Sequence, residues 1–223
     1  MAETLEAAPS CIRQKAGHDQ AFMFQTDLTR NLIHTHHQRK PNLNLLDYGC
    51  GRRGVQRVIF EGTKQDCDQL ALFDPFADIF PPRTDNVSIV KRSEIFGDNR
   101  IPFDIVALSY VLCCVSPDEG KRILHALQLL QPQAQLLVVD YTLNNRSQME
   151  VLDLLASQEE MKWRDSMGEE DFATTRRRFT RESLAQFIYD AGYKMADPAI
   201  PLDEFGIRAA IVTHTRQTDG SVK

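Results

Sequence analysis

Five short runs of mostly apolar residues punctuate the chain: LNLLDYG (43–49), LALFD (70–74), VSIVK (87–91), FDIVALSYV (103–111) and QLLVVDYTL (135–143). Apolar runs of this length, bounded by turn residues, have the dimensions of buried strands. Between them the spacing becomes helical. Apolar residues at 55, 58 and 59 predict a weak helix over 54–62. Ser116-Pro117-Asp118-Glu119 predicts a helix start, with serine as cap, proline at the first helical position and glutamate completing a capping box. Ile123, Leu124, Leu127 and Leu130 give that helix its buried stripe, and Pro132 ends it. A further helix over 181–193 aligns Leu184, Phe187, Ile188 and Ala191, with Gly192 as its C-cap. Alternating strands and helices, with strands apolar on both faces, predict an α/β fold around a mostly parallel sheet covered on both sides. After the last helix, 193–200 and 207–215 read as two strands of a terminal antiparallel hairpin.

Two stretches depart from this rhythm. Residues 1–41 predict a helical lead-in in which Phe22, Phe24, Leu28, Leu32 and Ile33 pack on the core, stopped by Pro41. Residues 144–179 are polar, hold the single Trp163, and predict a helical insertion over the sheet edge.

Composition narrows the function classes. The chain has 223 residues, 42% hydrophobic and 26% charged, which fits one globular domain with an added segment. The net charge of −5 argues against nucleic acid as partner. The one dense basic run, Arg176, Arg177, Arg178 and Arg181, follows acids and reads as a solvated helix face, with an anion site as the alternative. No apolar run approaches the ~18 residues of a membrane span. The N-terminus lacks an apolar signal core, so a soluble, cytoplasmic protein is expected. Cys11, Cys50, Cys67, Cys113 and Cys114 are odd in number and hold no C-x-x-C pair, which suggests neither a disulfide frame nor a zinc site. His34, His36 and His37 lack an accompanying acid or cysteine and read as a solvated helix end; no metal is expected.

The informative segment is LLDYGCGRRG (45–54). Gly49 and Gly51 follow a strand and precede a helix, so the backbone can turn tightly and approach a ligand. Asp74 ends the next strand, where a carboxylate can accept both hydroxyls of a ribose. The turn matches the dinucleotide fingerprint G-x-G-x-x-G formally, which keeps a NAD(P)-dependent oxidoreductase open. Asp47, two residues before the first glycine, can instead pair with a ligand's ammonium group, and the C-terminal hairpin departs from the dinucleotide fold.

From about 43 to 215 these residues resemble the class I S-adenosylmethionine-dependent methyltransferases. Asp47, Gly49 and Gly51 match the family's D-x-G-x-G-x-G motif, although Arg53 stands at the third glycine and Gly54 comes one residue late. Asp74 matches the ribose-binding acid, and Pro75 and Phe76 follow it where adenine would lie. Ser93 and Glu94 are the candidates for the group facing the adenine amino group. FDIVALSYVLCCV (103–115) resembles the fourth-strand motif, whose end backs the methyl-transfer centre, here Ser109, Tyr110 and Leu112. Cys113 and Cys114 stand where many members carry histidines and read as core. Pro132 stays from a Pro-Gly-Gly turn whose glycines are replaced by Gln133 and Ala134.

The resemblance implies a Rossmann-like three-layer sandwich with a seven-stranded sheet and an antiparallel C-terminal strand. It divides the chain into an N-terminal helical lid (1–41), a cofactor-binding core (42–143), an insertion serving as substrate cover (144–179), the rest of the core (180–216) and a tail. It implies direct in-line transfer of a methyl group from S-adenosylmethionine to a small-molecule acceptor, with catalysis resting on proximity and alignment. His18, Tyr110 and Tyr141 are the candidates for a catalytic base, and Phe24, Tyr141 and Trp163 for the acceptor wall. His125 reads as surface. The lid and the insertion can pair two copies into a homodimer or simply cover the site. A non-catalytic cofactor-binding subunit is the other rival, motivated by the altered glycine loop.

Overall fold

The computed structural model describes residues 10–40, 42–50, 69–75, 79, 85–143, 148, 178–203 and 206–214. Among them a long helix α1 (Ser10–His37) leads into β1 (Asn44–Tyr48), β2 (Gln69–Phe73) and β3 (Val87–Ile89). A short helix α2 (Arg92–Phe96), β4 (Ile105–Ser109), helix α3 (Pro117–Leu130) and β5 (Gln135–Tyr141) follow. Helix α4 (Arg181–Asp190), β6 (Ile200–Pro201) and β7 (Arg208–Val212) complete the order.

The strands form one seven-stranded sheet in the order β3-β2-β1-β4-β5-β7-β6. The first five run parallel, while β7 pairs antiparallel with both β5 and β6. Every residue of β4 from Ile105 to Leu108 is buried, as the unbroken apolar run requires of a strand covered on two faces. Alternation along the strands sorts the core. Leu46, Tyr48, Val106, Leu108, Leu136 and Val138 face the layer built by α3 and α4. Leu45, Ile105, Ala107, Leu137 and Val139 face the opposite layer, where Leu28, Leu32 and Ile33 of α1 pack.

Local chemistry sets the helix ends. Ser116 Oγ accepts from the Glu119 N–H at 3.2 Å, and Pro117 takes the first turn. The Glu119 carboxylate turns to Arg122 at 2.9 Å, so the serine supplies the cap. At α4, Thr180 and Ser183 exchange hydrogen bonds as a capping box. That helix ends at Asp190, short of the expected 193: Ala191 is the C-cap in place of Gly192, which follows with φ of +89°. Gln128 of α3 donates to the Gly192 carbonyl at 2.7 Å and locks the two helices together. Full burial of Leu184 and Ile188 against the sheet contributes about 1.5–3 kcal/mol each.

Two expectations need correction. The strand expected over 193–200 shrinks to β6, plus a single bridge between Met195 and Thr213. Ser93 and Glu94 follow β3, as expected of that pair, and lie within α2. Phe24 does not pack on the core: it is 52% exposed, and the buried residues among the described side chains of α1 are Gln25, Thr26, Thr29 and Ile33. The helix expected over 54–62 and nearly all of the insertion 144–179 lie outside the described residues.

Candidate functional site

The strand order places a topological switch between β1 and β4. The chain leaves β1 outward to β2 and β3, then returns to β4 on the other side of β1. Ligands of open parallel sheets bind at the carboxyl ends of such strands. At that edge Gly49 turns with φ of +80° and donates its N–H to Phe73 at 2.7 Å; Cys50 donates to the same carbonyl at 3.2 Å. The turn after β1 is thereby tied to the last residue of β2, next to Asp74. A Cβ on Gly49 would lie 2.5 Å from the Val111 side chain, so the turn also meets the segment after β4. Glycine is required here twice over, by the left-handed backbone and by the close approach.

Asp47 lies at the bottom of this crevice. It is 2% exposed, and its Oδ2 has no hydrogen-bond partner among the described residues. Burial pushes its carboxyl up to about 7, and the nearby Asp74 carboxylate adds to the rise. A buried carboxylate left in this state costs free energy that a cationic ligand would relieve.

Alternation along the strands puts Asp47 and Ser109 on the sheet face that α1 covers. Gln25 reaches down from α1 and donates to Ser109 Oγ at 2.8 Å. Thr29, one turn further on, donates to the Gln25 carbonyl at 2.8 Å. Residues Gln25, Thr26 and Thr29 were missed as site candidates. The available signal was their helical spacing beside Leu28, Leu32 and Ile33, which marks a polar stripe turned inward.

Beyond β4, Tyr110 adopts φ of +59° and its N–H donates to Val139 at 2.7 Å. Its ring leans on Tyr141 with centroids 4.9 Å apart, and the Arg208 guanidinium lies 5.4 Å from the Tyr141 centroid. Arg208 is itself buried beside Asp203 at 3.7 Å. Asp203 accepts from the Ile207 and Arg208 N–H groups and closes the β6–β7 hairpin. Asp140 is wholly buried, accepting from the Tyr141 N–H at 2.8 Å and the Cys113 N–H at 3.0 Å. It anchors the turn after β4.

The structure thus brings Asp47, Gly49, Asp74, Ser109, Tyr110 and Tyr141 to one edge of the sheet. Pro75 is half-buried beside Asp74. Glu94 uses its carboxylate to accept from Lys91 N–H at 2.7 Å at the start of α2, and Ser93 is exposed there. His18 falls in α1. His125 is exposed on α3. His36 pairs with Gln135 and His34 with Gln38, each at 3.1 Å. Two further readings are corrected. Cys113 is buried but Cys114 is exposed, so only the first is core. Arg178 is not on a solvated helix face; it precedes α4 and donates to the Leu112 carbonyl at 3.0 Å. Gly51, Phe76, Trp163, Arg176 and Arg177 lie outside the described residues.

The residues present fit S-adenosylmethionine. The unsatisfied Asp47 oxygen suits the ammonium of its amino-acid moiety, Asp74 can accept from ribose hydroxyls, and Gly49 lets the turn between them sit directly against Val111. A dinucleotide would instead bring a negatively charged pyrophosphate to the glycine turn, beside Asp47, whose buried carboxylate repels it when ionised.

This sheet order with this crevice defines the class I S-adenosylmethionine-dependent methyltransferase fold. Comparison agrees: a family model described as a methyltransferase domain matches residues 18–197, and the chain belongs to that family. No curated protein matches it in sequence. Among solved structures it is similar to the mitomycin 7-O-methyltransferase MmcR, with 15% identity and a TM-score of 0.51 over 85% of this chain and 54% of that one. It is also similar to LepI in complex with SAM, with 11% identity and a TM-score of 0.54 over 81% of this chain and 44% of that one. A structure described as a pericyclic reaction enzyme gives the same values. The chain spans about half the length of these proteins. Such likenesses establish the fold, and the fold serves more than one chemistry. No helix among the described residues is long and apolar enough to cross a membrane.

Proposed function

We propose that this chain transfers a methyl group from S-adenosylmethionine to a small-molecule acceptor. The observation that carries the reading is the buried, unsatisfied Asp47 carboxylate at the β1–β4 crevice, raised towards neutrality and coupled to Asp74. That arrangement selects a ligand bearing both a cation and vicinal hydroxyls.

The cofactor supplies an electrophilic methyl group on a good leaving group. The protein's part is to place and shield. Asp47 ionises against the incoming ammonium, and Asp74 accepts from the ribose. Gln25 fixes Ser109 at the end of β4, and the polar inner stripe of α1 covers that edge as a lid. Tyr110, half-buried and leaning on the buried Tyr141 with the ring planes 42° apart, offers an aromatic surface for a flat or aromatic acceptor. Tyr110 and Tyr141 are also candidates to take an acceptor proton where the nucleophile needs one removed. Alignment of the two reactants supplies most of the acceleration in this reading. The mitomycin methyltransferase above acts on a small molecule, which supports the same acceptor class here. The setting we infer is cytoplasmic, and a homodimer that pairs through α1 is the alternative to α1 serving only as a cover.

Incubation with methyl-labelled S-adenosylmethionine and a panel of small phenols, amines and thiols tests this reading. Label is expected in at least one small organic product. Binding of S-adenosylhomocysteine with label passing only to protein or nucleic acid would contradict the acceptor class, and binding with no transfer to any acceptor would favour a non-catalytic subunit.

A further inference from the structure

The turn after β4 carries two adjacent cysteines that methyl transfer does not use. Cys113 Sγ and Cys114 Sγ lie 3.5 Å apart. Both thiols donate to the same acceptor, the Tyr110 carbonyl, at 3.4 and 2.9 Å. Cys113 is buried with its N–H on Asp140, while Cys114 is exposed. The carbonyl they share belongs to the residue held at φ of +59°, at the end of the strand that lines the crevice. Arg178 adds a guanidinium on the Leu112 carbonyl, one residue before the pair.

We propose that Cys113 and Cys114 form a vicinal dithiol that closes to a disulfide with a thiol oxidant such as glutathione disulfide, and that closure loosens the crevice at Tyr110. The sulfurs need approach only from 3.5 Å to about 2 Å. The exposed Cys114 thiolate attacks glutathione disulfide and releases one glutathione thiolate. The Cys113 thiolate then attacks the Cys114 sulfur and releases the second. One S–S bond forms between the cysteines, one is reduced to two glutathione thiols, and the two cysteine protons pass to the departing thiolates. The disulfide carries no S–H group, so both hydrogen bonds to the Tyr110 carbonyl are lost on closure. Neighbouring Cα atoms are only ~3.8 Å apart, shorter than the ~4.4–6.8 Å of ordinary disulfides, so the closed form is strained and readily reduced. Strained, exposed disulfides are the labile and regulatory ones.

Closure of the pair is read without any methyl transfer, and only its effect on the crevice rests on the cofactor reading. The full chain is treated with glutathione disulfide, its remaining thiols are blocked, and digested peptides are weighed. The peptide holding Cys113 and Cys114 is expected to be lighter by two hydrogens, free of glutathione, and restored by dithiothreitol. Cys114→Ser is expected to abolish closure, while Cys50→Ser leaves it intact. Calorimetry with S-adenosylhomocysteine is expected to show affinity roughly threefold to tenfold weaker in the closed form, the scale of a lost hydrogen bond or two. An unreacted pair, a stable mixed disulfide on Cys114, a cross-link to another peptide, or closure with unchanged affinity would each overturn the proposal. If the reduced chain fails to bind S-adenosylhomocysteine, the cofactor reading fails, and the peptide masses still decide whether the pair closes.

Discussion

Gln25 in the leading helix donates a 2.8 Å hydrogen bond to Ser109 at the end of β4, 84 positions along the chain. The bond joins the helical cover to the strand that lines the crevice. Gln25→Ala removes it and leaves the Ser109 hydroxyl short of a partner, at a cost of about 1–2 kcal/mol. Faster amide hydrogen exchange is expected through α1, with β1 and β4 unaffected. Unchanged exchange in α1 would show that the helix is held elsewhere.

Asp47 sets the pH response. Its carboxyl lies at about 7 in the folded chain against 3.8 ordinarily. Folded protein therefore holds the proton over a window in which unfolded protein has lost it. Stability from this group is present below about pH 4 and is lost as pH rises through about 7. Asp47→Asn is expected to stabilise the ligand-free protein at pH 8 by a few kcal/mol, and hardly at all near pH 4. Cofactor affinity runs the other way. It is expected to rise from about pH 6 to pH 8 in the wild type as Asp47 ionises, and to be weaker and flat in Asp47→Asn. Calorimetric titration at several pH values reads both, and a pH-independent wild type would contradict the assignment.

Gly49→Ala tests the turn. The new Cβ meets Val111 at 2.5 Å in a backbone conformation that alanine rarely adopts. A cost of about 1–3 kcal/mol is expected, seen as a lower denaturation midpoint together with weakened cofactor binding. Normal stability and normal binding would mean that the turn can relax and is not the ligand's seat.

Tyr110 separates backbone from ring. Its φ of +59° favours glycine, whereas its ring leans on Tyr141. Tyr110→Gly and Tyr110→Ala both lose the ring contact, but only glycine relieves the left-handed strain. The glycine variant is expected to be the more stable of the two by about 1 kcal/mol in urea denaturation. The reverse order would show that the strain is illusory.

Much of the frame was readable from the chain because strands buried on both faces cannot hide their composition. Runs such as 103–111 can be little else, and Ser116-Pro117 marks a helix start by hydrogen-bond chemistry alone. Asp47, Gly49 and Asp74 could be paired in advance because parallel strands end at a common edge. The inner face of α1 was not legible in that way. Helical periodicity is read from apolar residues, and it points to Phe24, whereas the face that covers the crevice is polar at Gln25 and Thr29. Polar residues turn inward only where a partner such as Ser109 waits, and that partner is fixed by tertiary contact. The five-residue α2 and the two-residue β6 are too short for periodicity to register at all.

The most direct test of the central claim is calorimetric titration of the chain with S-adenosylhomocysteine, beside NAD and NADP, in the wild type and Asp74→Ala. One site for S-adenosylhomocysteine is expected, with no heat from either dinucleotide. Affinity in Asp74→Ala is expected to fall by roughly 1.5–3 kcal/mol, the scale of hydrogen bonds to a charged group. Binding of a dinucleotide without S-adenosylhomocysteine, or equal affinity in Asp74→Ala, would contradict it.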